Sequence, residues 1–135
     1  MIVLKTEQEI GYMRDAGRIV GQTLAVIKKA ISPGITTQEL DHIAEQFIRR
    51  AGGVPAFKGY CGFPASICSS INEQVVHGIP GPRQLKDGDV ISIDIGVKLN
   101  RYYGDAAITV PVGEVDAEIL TLLSVTEQAL NKGIE

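Results

Sequence analysis

Two aspartates, Asp94 and Asp105, interrupt segments that otherwise read as apolar β-strands. Residues 90–99 run Val-Ile-Ser-Ile-Asp-Ile-Gly-Val-Lys-Leu. Ile91, Ile93, Ile95 and Val97 fall on one face at period two, and Ser92, Asp94 and Gly96 on the other. Residues 102–110, Tyr-Tyr-Gly-Asp-Ala-Ala-Ile-Thr-Val, are again strand-like. A short turn at Leu99-Asn100 or Lys98–Arg101 centres a hairpin between residues 99 and 100. That centre pairs 97 with 102, 96 with 103 and 94 with 105. Like charges directly opposite in a sheet repel, but two nearby carboxylates can share a proton or hold a cation. The spacing therefore predicts a metal site or a proton-sharing dyad. The plainer alternative is structural: Asp94 satisfies a neighbouring loop and Asp105 pairs with Arg101. A one-residue slip of the turn would put the two on opposite faces.

The rest of the chain must hold that hairpin. Thr6-Glu-Gln-Glu9 has capping-box spacing, and Ile10, Met13, Val20, Leu24, Ile27 and Ile31 then recur at helical spacing. Ser32-Pro33-Gly34 stops that helix. Thr36-Thr-Gln-Glu39 opens a second, with Leu40, Ile43, Phe47 and Ile48 as its stripe and Gly52-Gly53 at its end. These stripes read as core. Residues 54–80 are rich in Pro, Gly and aromatics, with β-like runs at Ser66–Ile71 and Gln74–Val76. Pro80-Gly-Pro-Arg and Lys86-Asp-Gly-Asp89 read as turns. Val115-Asp116-Ala-Glu starts a third helix carrying Ile119, Leu122, Leu123 and Leu130 on one side. Its Val125–Ile134 stretch loosely echoes Val20–Ile31. Helix, helix, strands, helix implies an α+β layer, an antiparallel sheet with helices on one face. No linker interrupts residues 1–135, which read as one domain.

Composition excludes some functions. Of the 135 residues, 44% are hydrophobic and 21% charged, an ordinary globular balance, and the net charge of −3 gives no reason to expect a nucleic-acid partner. No long apolar run suggests a membrane span, and the amino terminus lacks a signal pattern. Cys61 and Cys68 lack Cys-x-x-Cys spacing and read as free thiols of a cytoplasmic protein. His42 lies on the polar side of the second helix and reads as solvated.

Three stretches, Cys68-Ser-Ser-Ile-Asn-Glu-Gln-Val-Val-His-Gly-Ile-Pro80, Asp87-Gly-Asp-Val-Ile-Ser-Ile-Asp-Ile-Gly96 and Tyr103-Gly-Asp-Ala-Ala-Ile-Thr109, resemble the shorter, bacterial-type methionine aminopeptidases. Met13-Arg-Asp-Ala-Gly17 extends the resemblance into the first helix. It implies the pita-bread fold shared with creatinase and aminopeptidase P: two α+β halves around two divalent metal ions (Co, Mn, Fe or Zn). It also implies removal of the N-terminal methionine from nascent chains. By this resemblance Asp94 and Asp105 are metal ligands, and His77 contacts substrate near the scissile amide as a catalytic residue. Phe57, Tyr60, Phe63 and Cys68 line the methionine pocket, where soft, polarizable groups suit a thioether. A monovalent cation is implied near Asn72 and Gln74. Taken apart from the resemblance, His77 reads as a turn histidine and Phe57 as ordinary packing.

The family completes its metal set with a histidine and two glutamates from a second half. Their absence implies that these residues are the amino-terminal half of a truncated enzyme, inactive or feeble alone. Two carboxylates leave a divalent ion mostly hydrated. The face normally covered by the other half invites a homodimer. The competing function is a catalytically dead fragment that binds partners or itself.

Overall fold

In the computed structural model, residues 3–135 are described. Helix α1 (Glu7–Ala30) begins at Thr6, whose hydroxyl accepts from Glu9 N while the Glu9 carboxylate accepts from Thr6 N at 2.7 Å. Helix α2 (Thr37–Arg50) repeats the device with Thr36 and Glu39. Both capping boxes satisfy amide groups that a helix start otherwise leaves bare. Strand β1 (Val54–Pro55), a 3-10 turn at Tyr60–Gly62, β2 (Ile67–Ile71), β3 (Val90–Leu99), β4 (Tyr102–Pro111) and α3 (Ala117–Ile134) follow. β3 is the central strand. β4 pairs with it on one side; β1 and β2 lie end to end on the other, all antiparallel.

The alternation in β3 decides which face is covered. Ile91, Ile93, Ile95 and Val97 are fully buried against α1 and α2, with Val20, Leu24 and Ile27 from α1 and Leu40, Ala44 and Ile48 from α2. Each buried branched side chain contributes about 1.5–3 kcal/mol. Helix α1 lies directly on β4. A Cβ built at Gly104 would sit 2.6 Å from Gly17 N. The helical stripe fails at its start: Ile10 and Met13 remain about two-fifths exposed at 38% and 41%. There α1 has reached the hairpin tip, where Tyr102 stacks on Tyr12 and donates to the Glu9 carboxylate at 2.7 Å.

Two expectations need correction. Gln74–Val76 is not a strand. Asn72 takes a left-handed conformation, φ 54°, and turns the chain; Gln74 then folds back, donating its N–H to Ile71 O and accepting Ile71 N on its side chain. Pro80–Arg83 forms no tight turn but runs open along the start of α2, where Gly81 O accepts from Gln38 N and from the Thr37 hydroxyl. The apolar side expected of α3 is present but uncovered: none of its residues is buried, and Leu122 and Leu130 are 65% and 63% exposed. That helix packs only lightly, against β4.

The outer edge of β2 is closed by acceptors that are not strands. Ile67 N donates to Asp41, Ser69 N to Gly78 O and Ile71 N to Gln74. Among the described residues, β4 pairs with β3 alone.

Candidate metal centre

The hairpin turns one residue later than the sequence suggests. Leu99 pairs with Tyr102, so the loop is Asn100-Arg101, both at positive φ (49° and 69°). This two-residue loop, left-handed at both positions, matches strand twist. Its usual second residue is glycine, so an arginine there gives no signal in the sequence. Moving the centre by one residue moves every partner by two. Asp94 therefore faces Ala107, and Asp105 faces Gly96. The expected direct 94–105 pair is corrected to a diagonal. The expectation that a one-residue slip would put the aspartates on opposite faces is corrected too: because partners move by two and side-chain direction has period two, both keep the same face, away from the helices. Diagonal neighbours lie about 7–8 Å apart at Cα, within reach of a shared ion or of each other's field.

The electrostatics agree with that placement. The Asp94 carboxyl titrates above its ordinary range, first because it is partly buried, then because Asp105 is negative; the charge of His77 opposes both. Cys68 lies opposite Asp94 on β2, and its thiol is pushed up to about 11 by burial and by the two aspartates. Asp94, Asp105, Cys68 and His77 thus share one field. Asp105 forms no ion pair with Arg101 among the described residues, which removes the structural reading offered for it.

His77 is exposed at φ 59° at the end of the loop that covers β2. Gly78 beside it cannot be enlarged, since a Cβ would lie 2.1 Å from Ser69 O. Its N–H donates to the Ser70 hydroxyl at 3.1 Å and its carbonyl accepts Ser69 N, which fixes where His77 stands. Phe57 comes to the same face. A Cβ on Gly96 would meet Phe57 Cε1 at 2.5 Å, so the missing side chain makes room for the ring beside the aspartates. Phe63 is half-buried, and Tyr60 is 72% exposed with its ring largely in solvent. Asn72 and Gln74 spend their side chains locally: Asn72 bonds Asp89 at 2.8 Å and accepts Val90 N, and Gln74 bonds Ile71 N. His42 is exposed and bonds Gln46, as a solvated residue does.

The sequence reading passed over Asp41. Its Oδ1 accepts from Ser66 N at 2.7 Å and Ile67 N at 3.0 Å, and burial raises its carboxyl above the ordinary range despite those bonds. The partners lie 25 and 26 residues away, so no local pattern marks the contact.

For a divalent ion, the donor chemistry fits in part. Two carboxylates are hard ligands suited to Mn, Fe, Co or Zn. Among the described residues, no group of three or more His, Cys, Asp or Glu side chains is arranged to hold an ion. The face supplies two anchors and leaves the remaining positions open. No described helix is long and apolar enough to cross a membrane.

The comparisons fit this geometry. Methionine aminopeptidase 1 of Bacillus subtilis (strain 168) is 59% identical over the full chain, and methionine aminopeptidase of Clostridium perfringens 55%. The chain spans 54% of each, about half the length of these curated relatives. The crystal structure of methionine aminopeptidase from Rickettsia prowazekii superposes with a TM-score of 0.96 at 41% identity, covering all of this chain and 54% of that one. The enzyme from Thermotoga maritima gives 0.95 at 40% over 98% of this chain and 53% of its own. At 23% identity and a TM-score of 0.74 over 87% of this chain and 32% of its own, an Xaa-Pro dipeptidase from Bacillus anthracis shares the pita-bread fold alone. A model of metallopeptidase family M24 matches residues 11–135, and the chain belongs to that family.

Proposed function

We propose that residues 1–135 are one domain, half of a pita-bread methionyl aminopeptidase that removes the first methionine of nascent chains in the cytoplasm. The supporting observation is a single one: two aspartates on one sheet face, in a member of a metallopeptidase family, share a field with Cys68 and His77. Asp94 and Asp105 would hold divalent metal (Co, Mn, Fe or Zn). When bound, such ions lower the pKa of water and polarise a carbonyl. The chain's own residues do the rest. His77, held by the Gly78 contacts, donates to the substrate near the scissile amide. Phe57 and Cys68 line the floor that receives the methionine side chain, and Tyr60 and Phe63 close over it. Any monovalent cation near Asn72 and Gln74 would rest on main-chain oxygens, since both side chains are already bonded. With two carboxylates as its metal ligands, the half chain alone is inactive or weakly active.

A second reading has its own support. The unpaired edge of β4 and the exposed leucines of α3 favour a self-associating module, a homodimer that covers those surfaces with a second copy.

Calorimetric titration with Mn²⁺ tests the first reading. The chain takes up the ion with a dissociation constant on the order of millimolar, and Asp94→Ala or Asp105→Ala abolishes uptake. In its presence Met-Ala binds and N-acetyl-Met-Ala does not. Metal uptake that ignores both substitutions, or equal binding of the blocked peptide, refutes the proposal. Light scattering decides the second: a monomer at all concentrations ends it.

A further inference from the structure

The three aromatic residues of the proposed pocket sit on a loop whose own backbone hydrogen bonds stay within residues 57–63 and do not tie it to the rest of the fold. Between β1 and β2, Gly59, Cys61 and Gly62 all take positive φ (87°, 47° and 81°), and the segment folds on itself through a 3-10 turn and the bonds Tyr60 N to Phe57 O and Gly59 N to Phe63 O. Such a loop needs outside restraints to keep one conformation. β3 holds the loop's first residues, through Ala56 N to Gly96 O and the Phe57 ring over Gly96, and two side-chain restraints come from one helix. Near the loop's entry, Lys58 Nζ reaches the Glu45 carboxylate at 2.7 Å; at its exit, Asp41 accepts the N–H groups of Ser66 and Ile67. Asp41 and Glu45 are four residues apart on α2, stacked on one side of the helix. Glu45 is itself steadied by Arg49 at 2.7 Å.

The exit tether is the demanding one. Ser66 is completely buried, and its hydroxyl finds no partner. Buried backbone N–H groups need an acceptor, and for Ser66 and Ile67 that acceptor is Asp41. One residue on from Ile67 lies Cys68, opposite Asp94.

We propose that Asp41, assisted by Glu45, is a positioning residue: it clamps the 57–66 loop and the start of β2 to α2, and thereby sets the shape of the pocket that reads the substrate's first side chain. The clamp stands on the geometry alone; its effect on substrate choice rests on the function proposed above.

The test compares Asp41→Asn with Asp41→Ala, both in a Cys61→Ser background. Asparagine keeps the Oδ1 acceptor and alanine removes it. Labelling of Cys68 by an aromatic disulfide reports opening at the start of β2. Asp41→Ala labels faster by about tenfold or more, the size expected when a buried N–H loses its acceptor, whereas Asp41→Asn stays near the parent rate. Equal rates in all three overturn the clamp. Should Asp41→Ala not fold, hydrogen exchange in the unaltered chain decides: Ser66 and Ile67 amides are protected if the clamp holds, and free exchange overturns it. For specificity, binding of Met-Ala is compared with Leu-Ala. Asp41→Ala narrows the preference while Asp41→Asn restores it; an unchanged preference in Asp41→Ala overturns the specificity role. If the parent binds neither peptide, the functional reading fails and the labelling result still decides the clamp.

Discussion

Asp94 and Asp105 stand one diagonal apart on the open face of the sheet, Asp94 opposite Ala107 and Asp105 opposite Gly96. Without metal this is an unfavourable arrangement, and Asp94 carries the sign of it. Its carboxyl titrates above the ordinary value of 3.8, chiefly through burial and then through Asp105. A carboxyl raised on folding favours the folded state below the unfolded value and loses that advantage as pH rises through the folded one. Asp94→Asn should therefore unfold at higher urea than the parent at pH 7 in chelator, and the two should converge at pH 3. A parent that is the more stable at pH 7 contradicts this account of the pair.

Two of the close approaches of glycine differ in what they touch. At Gly104 an added Cβ meets main-chain atoms of Ala16 and Gly17, which cannot move without shifting α1. At Gly96 it meets the edge of a phenylalanine ring. Gly96→Ala is expected to cost about 1–3 kcal/mol and to displace Phe57; Gly104→Ala is expected to cost more than that. Urea denaturation ranks them, and a Gly104→Ala chain as stable as the parent would show that α1 is not seated as described.

Arg101 pays for its φ of 69° at the hairpin tip. A non-glycine residue in that region stores about 1 kcal/mol. Arg101→Gly should raise stability by up to about 1 kcal/mol, visible as a higher melting temperature. Destabilisation would mean that the arginine makes a compensating contact.

Glu9 links the start of α1 to the hairpin. Its pKa falls from 4.5 to about 2, first through the Thr6 backbone N–H and then through the Tyr102 hydroxyl. The sign is that of a lowered acid: the stabilisation is present above 4.5 and is lost as pH falls through about 2. Glu9→Gln should melt below the parent at pH 7, and the gap should close near pH 2. A gap that does not change with pH would assign the effect to packing.

What the sequence disclosed depended on how local the cause was. Thr6 with Glu9 and Thr36 with Glu39 are three residues apart, and both helix starts were legible. The alternation in β3 sorted core from open face, and an error of one residue in the turn left both aspartates on the correct side because it moved partners by two. The turn itself was hidden, since Arg101 occupies a position whose usual mark is glycine. Asp41 was hidden for another reason: its partners are joined to it only by the fold. In α3 the apolar side was legible and the structure leaves it open, because periodicity states which side wants cover and not whether cover exists.

The two borders of the sheet behave unlike each other. Along β2 every outward N–H is already taken, by Asp41, Gly78 and Gln74, so no incoming strand finds a donor there. Among the described residues β4 pairs with β3 alone, and its free edge offers a ladder. A template with one usable end consumes itself when two copies meet across it, and growth halts at that pair. Overproduced alone, this chain should accumulate as finite particles, not as amyloid fibres.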